Sequence, residues 1–410
     1  MIEQDSMNVI HERAAGLDIR KMQIAATAGL ARPGLEAAVE TRTFSALPSG
    51  LAGMVAWLTD HRVSAAVMEA TGICWEAPFD ALESAGIEPI PVHALHVKQL
   101  RGRKTDIADS VWLSRICQFG LCSPSLVPPA HFRQLRKAGR QRRELVRERA
   151  RVRNRVHKIV DAAGIRVGGA LSDLFGVNGL RILEGLAAGA GRDAILAGLS
   201  RHVRRRMGVL HDALDAGLEA HSRFLLADQL LSFRATTRRL AEYDKVIAEG
   251  LKDWSHLVDI LAAVPGKDRA AARAILVELG PKADAFPSRR HCAAWAGLRP
   301  GNKESAGKKR SGRTRRGNST LREVMIECVH AASRTRGCQY RGCHKLLAVR
   351  RGRKRATVAT AHKMLKAVYS LLKNGRAYRD PEANYEELMV KRNAPRWIEM
   401  LKKYNLGNAT

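Results

Sequence analysis

Two apolar, strand-like runs in the first 92 residues each carry a carboxylate, and the order of runs around them restricts the fold to few choices. Gly16-Leu17-Asp18-Ile19 leads into Met22-Gln23-Ile24-Ala25-Ala26-Thr27-Ala28. These are expected to form a first strand and its continuation, broken near Arg20-Lys21. Val39-Glu40-Thr41-Arg42-Thr43-Phe44 alternates and predicts another strand. Leu51, Met54, Val55 and Leu58 repeat at helical spacing between Pro48 and Asp60. A short buried strand follows from Ser64 to Met68 and closes on Glu69-Ala70-Thr71-Gly72. Trp75 to Ala85 is helical in pattern. Ile87-Glu88-Pro89-Ile90-Pro91-Val92 predicts a last strand, edge-like because of its prolines. The order β-β-β-α-β-α-β predicts an α/β domain around a mixed sheet.

Lys104-Thr105-Asp106-Ile107-Ala108-Asp109 precedes an apolar-periodic run, Val111 to Phe119, and is expected to open a helix. Asp106 and Asp109 then stand at i and i+3 on one face. Asp106 could serve simply as an N-terminal cap, where negative charge is welcome. The alternative is a shared divalent cation, and Asp18 and Glu69 favour it, because α/β sheets place their sites at strand ends. Four converging carboxylates repel one another unless cations hold them. Two Mg²⁺ ions, with Mn²⁺ able to substitute, would make Asp18, Glu69, Asp106 and Asp109 a clamp for in-line attack on a phosphodiester.

The net charge of +30 calls for a polyanionic partner. Residues 1–100 nevertheless hold 7 Lys and Arg against 12 Asp and Glu. An acidic head before a basic body suits an enzyme that binds metal upstream and nucleic acid downstream. Aromatic residues are only 5% of the chain, which argues against base-stacking platforms as the main design. The 7 cysteines are irregularly spaced, and Cys338-x4-Cys343-His344 lacks the two-residue spacing of a zinc knuckle. Reduced thiols in a cytoplasmic, nucleoid-associated protein are expected. No run approaches the ~20 apolar residues of a membrane span, and no signal-peptide core is apparent.

Phe119 to Ala130 holds Pro124, Pro128 and Pro129 and predicts a linker. His131 to Val160 predicts one long basic helix, with Leu145, Val152 and Ile159 at sevenfold spacing and Val156 between them. Its arginines, among them Arg142, Arg143, Arg149 and Arg153, face only Glu144 and Glu148 within the segment. They form either a solvated coiled-coil face or a stripe facing nucleic acid. Small helices are expected over Gly164 to Gly217. A second long helix, Phe224 to Ile247, with Leu226, Leu230, Phe233, Thr237, Leu240 and Ile247 near heptad spacing, should run antiparallel to the first. Val264-Pro265-Gly266-Lys267-Asp268 resembles a helix-hairpin-helix turn. Asp268 replaces the usual second glycine and would repel a phosphate there, so an ordinary tight turn is the competing reading.

Ala294-Trp295-Ala296-Gly297-Leu298-Arg299-Pro300 precedes Lys303-Glu304-Ser305-Ala306-Gly307-Lys308-Lys309-Arg310, then Arg313, and Arg316-Gly317-Asn318 with Leu321-Arg322. Glycine and charge predict a loop in the middle, and Thr320-x-x-Glu323 predicts a capping box. Ser305 alone could be a turn residue, and Ser311 is a nearby competitor. Arg350-Arg351-Gly352-Arg353-Lys354-Arg355 predicts a basic turn that neutralises phosphate. His362, on the amphipathic helix that follows, could be packing or catalytic. The tail after Pro381 is charged and carries no motif.

Gly16-Leu17-Asp18, Glu69-Ala70-Thr71-Gly72, the Lys104–Asp109 run and the Ser305 stretch, in that order, resemble the DEDD-type transposases of the insertion-sequence one-ten family. These are relatives of the Piv DNA invertase. The resemblance covers about Gly16 to Tyr378. It implies an RNase H-like (RuvC-like) α/β catalytic domain at 1–122, and a basic helical coiled coil at 131–252. A mostly α-helical C-terminal transposase domain at 253–380 and a charged tail at 381–410 complete the chain. It further implies that Asp18, Glu69, Asp106 and Asp109 hold the metal and that Ser305 is the nucleophile. The implied partners are donor and target DNA, a structured guide (bridge) RNA and further copies of the chain, as a tetramer built from dimers; no membrane is involved. Lys308, Lys309, Arg310, Arg313, Arg316, Arg353 and Lys354 join the long helix's arginines as expected nucleic-acid contacts. A RuvC-like nuclease or junction resolvase, and a non-catalytic nucleic-acid-binding protein, are the alternatives.

Overall fold

The computed structural model describes residues 9–31, 38–70, 72–93, 109–122, 124–169, 171–200, 203, 207–283, 285–301, 303–305, 308–380 and 385–404. They fall into two compact units, Met1–Val127 and Pro128–Thr410. No helix among the described residues is long and apolar enough to cross a membrane.

In the first unit β1 (Arg13–Ile19), β2 (Gln23–Leu30) and β3 (Ala38–Ser45) form an antiparallel meander. β4 (Ala65–Glu69) adds parallel to β1, and β5 (Glu88–Val92) adds parallel to β4, giving the order β3-β2-β1-β4-β5. This mixed sheet is consistent with an RNase H-like α/β domain. The break at Arg20-Lys21 is a hairpin turn, in which the Arg20 N–H donates to the Gln23 carbonyl at 2.9 Å. The second run is therefore a separate antiparallel strand, with Ala25 opposite Asp18, and not a continuation of the first. β5 is an edge strand, as its prolines imply. Its outer side is covered where Val92 pairs with Pro124 and the Ser125 N–H reaches the Pro91 carbonyl at 2.7 Å.

The sheet separates two apolar layers by the twofold alternation of its strands. Leu17, Ile24, Ala26 and Met68 face α1 (Pro48–Asp60) and α2 (Glu76–Ser84), which bury Met54, Trp57, Leu58, Phe79 and Leu82 against them. Ala14, Ala65, Val67 and Val92 face α3 (Asp109–Gln118) and its Leu113, Ile116 and Cys117. The α3 contact is unusual in being polar as well as close. Ser110, Ser114 and Gln118, one helical turn apart, are all buried. Thr27 donates to the Ser110 hydroxyl at 2.8 Å, and Ser114 donates to the Ala14 carbonyl at 3.0 Å. A methyl group on Gly16 would stand 2.0 Å from the Ser110 carbonyl oxygen and 2.3 Å from the Ser114 nitrogen. Gly16→Ala must therefore push the helix off the strand, at an expected cost of about 1–3 kcal/mol in denaturant unfolding. An unchanged midpoint would refute this close seating.

The second unit is helical. α4 (Ala130–Ala162) and α8 (Ala220–Gly250) pack antiparallel: His131 near the start of one donates to the Gly250 carbonyl at the end of the other, at 2.7 Å. Val152, Val156 and Val160 of α4 meet Leu226, Leu230 and Phe233 of α8. Leu145, Val152 and Val156 are buried as the spacing predicts. Val160 takes the place expected of Ile159, which is half-buried, and Thr236 that of Thr237. α5 (Val177–Ala188), α6 (Arg192–Ala197) and α7 (Met207–Ala213) close over this end with Ile182, Leu183, Ile195 and Leu210.

The remainder comprises α9 (Ser255–Ala262), α10 (Arg269–Leu279), α11 (Arg289–Trp295), the hairpin β6 (Lys303–Ser305) and β7 (Lys308–Ser311), α12 (Ser319–Ala332), α13 (Gln339–Arg351), α14 (Arg353–Asn374) and α15 (Tyr385–Lys403). α14 is the central element. It buries Ala361, Met364, Leu365 and Val368, and its Tyr369 hydroxyl donates to the Phe286 carbonyl at 2.9 Å. α15, with Pro395 inside it, forms where no motif is legible in the tail.

Candidate active site

Asp18 lies next to last in β1 and Glu69 ends β4, its parallel neighbour. The register pairs Gly16 with Val67 and Leu17 with Met68, so Asp18 and Glu69 come next in line, on strands about 5 Å apart. Alternation puts both on the α3 side, because Ala14, Ala65 and Val67 already face that helix. Asp109 is the first residue of α3, and the adjoining Ser110 carbonyl lies over Gly16. Three of the four acids thus share one face and one end of the sheet. Asp106 lies outside the described residues, and so does the expected helix start before Asp109. Arg20 binds the Asp18 carboxylate through Nε at 3.2 Å and Nη2 at 3.1 Å. Among the described residues no three carboxylate, thiol or imidazole side chains stand close enough to hold an ion. The seven cysteines are free, and Cys338 donates its thiol to the Ala332 carbonyl at 3.3 Å.

The Ser305 stretch forms a β-hairpin where a loop is expected. Ser305 pairs with Lys308, Glu304 with Lys309 and Lys303 with Ser311; the register shift leaves Arg310 as the extra residue of β7. The ladder continues at the base, where Pro300 pairs with Thr314 and the Gly301 N–H donates to the Arg313 carbonyl at 2.9 Å. Below that, the Asn318 N–H donates to the Trp295 carbonyl at 2.8 Å. Gly297 and Gly317 approach so closely that a methyl on Gly317 would meet the Gly297 nitrogen at 2.4 Å. The Ser311 hydroxyl accepts from the Arg313 N–H at 3.2 Å, a turn-stabilising contact. Thr320 and Glu323 form no capping box. Asn318 caps α12 by accepting from the Leu321 N–H at 2.9 Å, and Glu323 pairs with Arg143 and, at 2.7 Å, with Arg147.

The base of the hairpin is tied to the long helix through Glu278, only 2% exposed. Its carboxylate accepts from Arg140 at 3.1 and 3.2 Å and from Asn318 Nδ2 at 2.6 Å, and Arg136 Nε stands 3.6 Å away. Arg136 also donates to the Glu278 carbonyl and lies 5.5 Å from the Trp295 ring centroid. Burial pulls its guanidinium down to about 10, against the pull of Glu278, so it stays charged at neutral pH.

Several arginines of the expected stripe meet acids far away in sequence. Arg142 binds Asp244 at 2.7 and 3.1 Å, Arg143 binds Glu323, and Arg153 binds Asp173 at 2.8 Å beneath the Phe175 ring. Arg149 is half-buried and its guanidinium is lowered by that burial. By contrast, Arg313, Arg316, Arg353 and Lys354 are exposed. The side chains of Ser305, Lys308, Lys309 and Arg310 lie outside the described set. The basic turn at 350–355 contracts to Gly352 alone (φ +78), with Arg350 and Arg351 ending α13 and Arg353 to Arg355 starting α14. Asp268, expected to repel a phosphate, is tied down as the N-cap of α10 by accepting from the Ala271 N–H at 2.7 Å. Burial and the nearby Lys366 and Arg299 lower the His362 imidazole below its ordinary value, leaving it neutral.

A family model described as a transposase, of the DEDD type of the IS110 group, matches residues 15–165, and one described as the transposase IS116/IS110/IS902 family matches residues 258–342. The chain belongs to the IS110 family of transposases. Together the matches cover more than half of the chain. The first spans all four acids, and the second spans Ser305, Glu278 and the hairpin base. No curated protein matches the sequence. As a transposase the chain is a DNA-acting enzyme, and the DEDD type is typically metal-dependent.

Sequence reasoning missed the Ser110-Ser114-Gln118 row and Glu278 in this transposase. Each left a signal: polar residues at i, i+4 and i+8 opposite small strand residues, and an acid inside the apolar run Ile275-Leu276-Val277-Glu278-Leu279.

Proposed function

We propose that this transposase mobilises its own insertion sequence through a serine-linked DNA intermediate. The acids Asp18, Glu69, Asp106 and Asp109 would hold two Mg²⁺ ions. The placement of Asp18, Glu69 and Asp109 on one face of one sheet end carries this reading. All four are hard oxygen donors, which suits Mg²⁺ and tolerates Mn²⁺. Bound there, the ions would supply charge stabilisation at the reacting phosphodiester. The Ser305 oxygen attacks phosphorus, the P–O bond to the departing strand breaks, and the serine proton ends on that strand's new hydroxyl. The phosphodiester energy is kept in the serine link, so a hydroxyl of another strand can reverse the step and join it. Lys308, Lys309, Arg310 and Arg313 flank Ser305 in the hairpin and offset charge that builds up on phosphorus. The resemblance supports a structured guide RNA that pairs with donor and target, and a tetramer in which one subunit's acids meet another's Ser305. The antiparallel α4–α8 pair, with its near-heptad apolar spacing, is the coiled coil of that assembly.

The test is a denaturing gel of parent protein with labelled target DNA, guide RNA and Mg²⁺. The parent is expected to leave a protein–DNA adduct that Ser305→Ala loses completely and Ser311→Ala keeps. No adduct under cleaving conditions overturns the serine and favours a water-using, metal-dependent nuclease. An adduct lost only in Ser311→Ala moves the nucleophile.

Exposed cations and paired ones should behave differently. Replacing Arg353 and Lys354 with Ala together is expected to reduce the slope of log affinity against log salt by about 2. Arg142→Ala, which strands Asp244, should change that slope by far less. Equal effects in a salt series of binding curves would contradict the distinction.

A further inference from the structure

A cavity of about 640 Å³ opens inside the helical unit, between α4, α8, the α9–α10 turn, α10 and α12. Lys267 of that turn lines it, is 7% exposed, and its Nζ has no hydrogen-bond partner among the described residues. The turn cannot swing outward easily. Gly266 holds φ +81 with its Cα pressed on α12, where a methyl would stand 2.3 Å from the Cys328 carbonyl oxygen and 2.5 Å from the Ala332 nitrogen. A buried, unpaired ammonium is costly, and such groups are retained where a ligand completes them.

The acids in the lining are already engaged: Asp244 by Arg142, Glu323 by Arg143 and Arg147, and Asp268 by the α10 cap. Arg149 and Arg273, both half-buried, add to Lys267, and Glu327 at the rim is the remaining carboxylate. We propose that this cavity is a phosphate-binding site in which Lys267 is the innermost donor and Arg149 and Arg273 complete the charge. The surplus of two positive charges matches a phosphate dianion, and the donors match its oxygens. Burial lowers the Lys267 ammonium to about 8, so it is still charged at neutral pH. The neighbouring Cys328 thiol, pushed up to about 11 by its own burial, supplies no counter-charge.

The phosphate could be carried by a free nucleotide or by a nucleic-acid strand end, and the test separates the two. Full-length protein is titrated with inorganic phosphate, adenosine monophosphate, and a short oligonucleotide with or without a 5′ phosphate, following binding and thermal unfolding. Saturable binding at one site per chain is expected for a phosphate-bearing probe. Lys267→Met should weaken it by about tenfold or more while raising the melting temperature of the ligand-free protein. Arg149→Ala and Arg273→Ala should weaken it without unfolding the chain. Tighter binding of the mononucleotide assigns a nucleotide, and tighter binding of the 5′-phosphorylated strand assigns a strand end; either supports the site. Unchanged affinity in Lys267→Met, or no saturable binding of any probe, overturns it.

Discussion

Asp18→Asn is expected to lower DNA cleavage by roughly three powers of ten, since on the proposed chemistry several kcal/mol of charge stabilisation at the phosphodiester would depend on the acids and each ~1.4 kcal/mol is tenfold. The substitution preserves shape and leaves β1 in place, with Ala25 and the Leu17–Met68 neighbours unaffected. Affinity for nucleic acid should remain nearly intact, because the exposed cations proposed to set it, such as Arg353 and Lys354, lie in the second unit. Glu69→Gln should act likewise. Single-turnover cleavage alongside a binding titration checks both. Parent-level cleavage by Asp18→Asn in Mg²⁺ would remove it from the metal-holding set, and a parallel loss of binding would make it structural.

Glu278→Ala should be the most damaging single change in the helical unit. It leaves the buried Arg136 guanidinium without its carboxylate and removes partners of Arg140 and Asn318. Breaking one side of a buried pair costs about 3–5 kcal/mol, more than a surface pair could. Denaturant unfolding followed by circular dichroism should show that loss for Glu278→Ala and a smaller one for Glu278→Gln, which keeps shape and some hydrogen bonds. In Gln-substituted protein that still folds, adduct formation should fall further than stability does, since Asn318 and Trp295 at the hairpin base are released. A loss under about 0.5 kcal/mol, the range of ordinary surface substitutions, would contradict the hub.

Much of the first unit is legible in local pattern because its strands are short, apolar and bounded by turns. Asp18 and Glu69 stand out since neighbours such as Leu17, Ile19, Val67 and Met68 leave them conspicuous. What was not legible depends on partners distant in sequence. The arginines of α4 look unbalanced when only Glu144 and Glu148 are counted, yet Asp173, Asp244, Glu278 and Glu323 reach them from other elements. The α3 contact was hidden for a related reason. Half of its buried residues are serine and glutamine, so apolar periodicity points to Leu113, Ile116 and Cys117 and not to the row that touches Gly16 and Gly29. The hairpin around Ser305 was hidden by composition, because glycine and lysine suppress strand propensity while the paired base at Pro300 and Thr314 supplies the order.

That hairpin is also a lever. Its fulcrum is the crowded Gly297–Gly317 crossing, locked by Asn318 and Glu278, and Ser305 sits near its far end. From Gly297 to Ser305 the chain spans at most about 26 Å at strand rise, so a 10° tilt at the fulcrum carries the tip by up to about 5 Å. In-line chemistry tolerates far less, as a misplacement of about 1 Å can cost a hundredfold in rate. On the proposed serine chemistry, a switch between idle and productive Ser305 would need no refolding and no large domain swing. A small rotation of a clamped base suffices, and whatever strains the Glu278 clamp sets the angle.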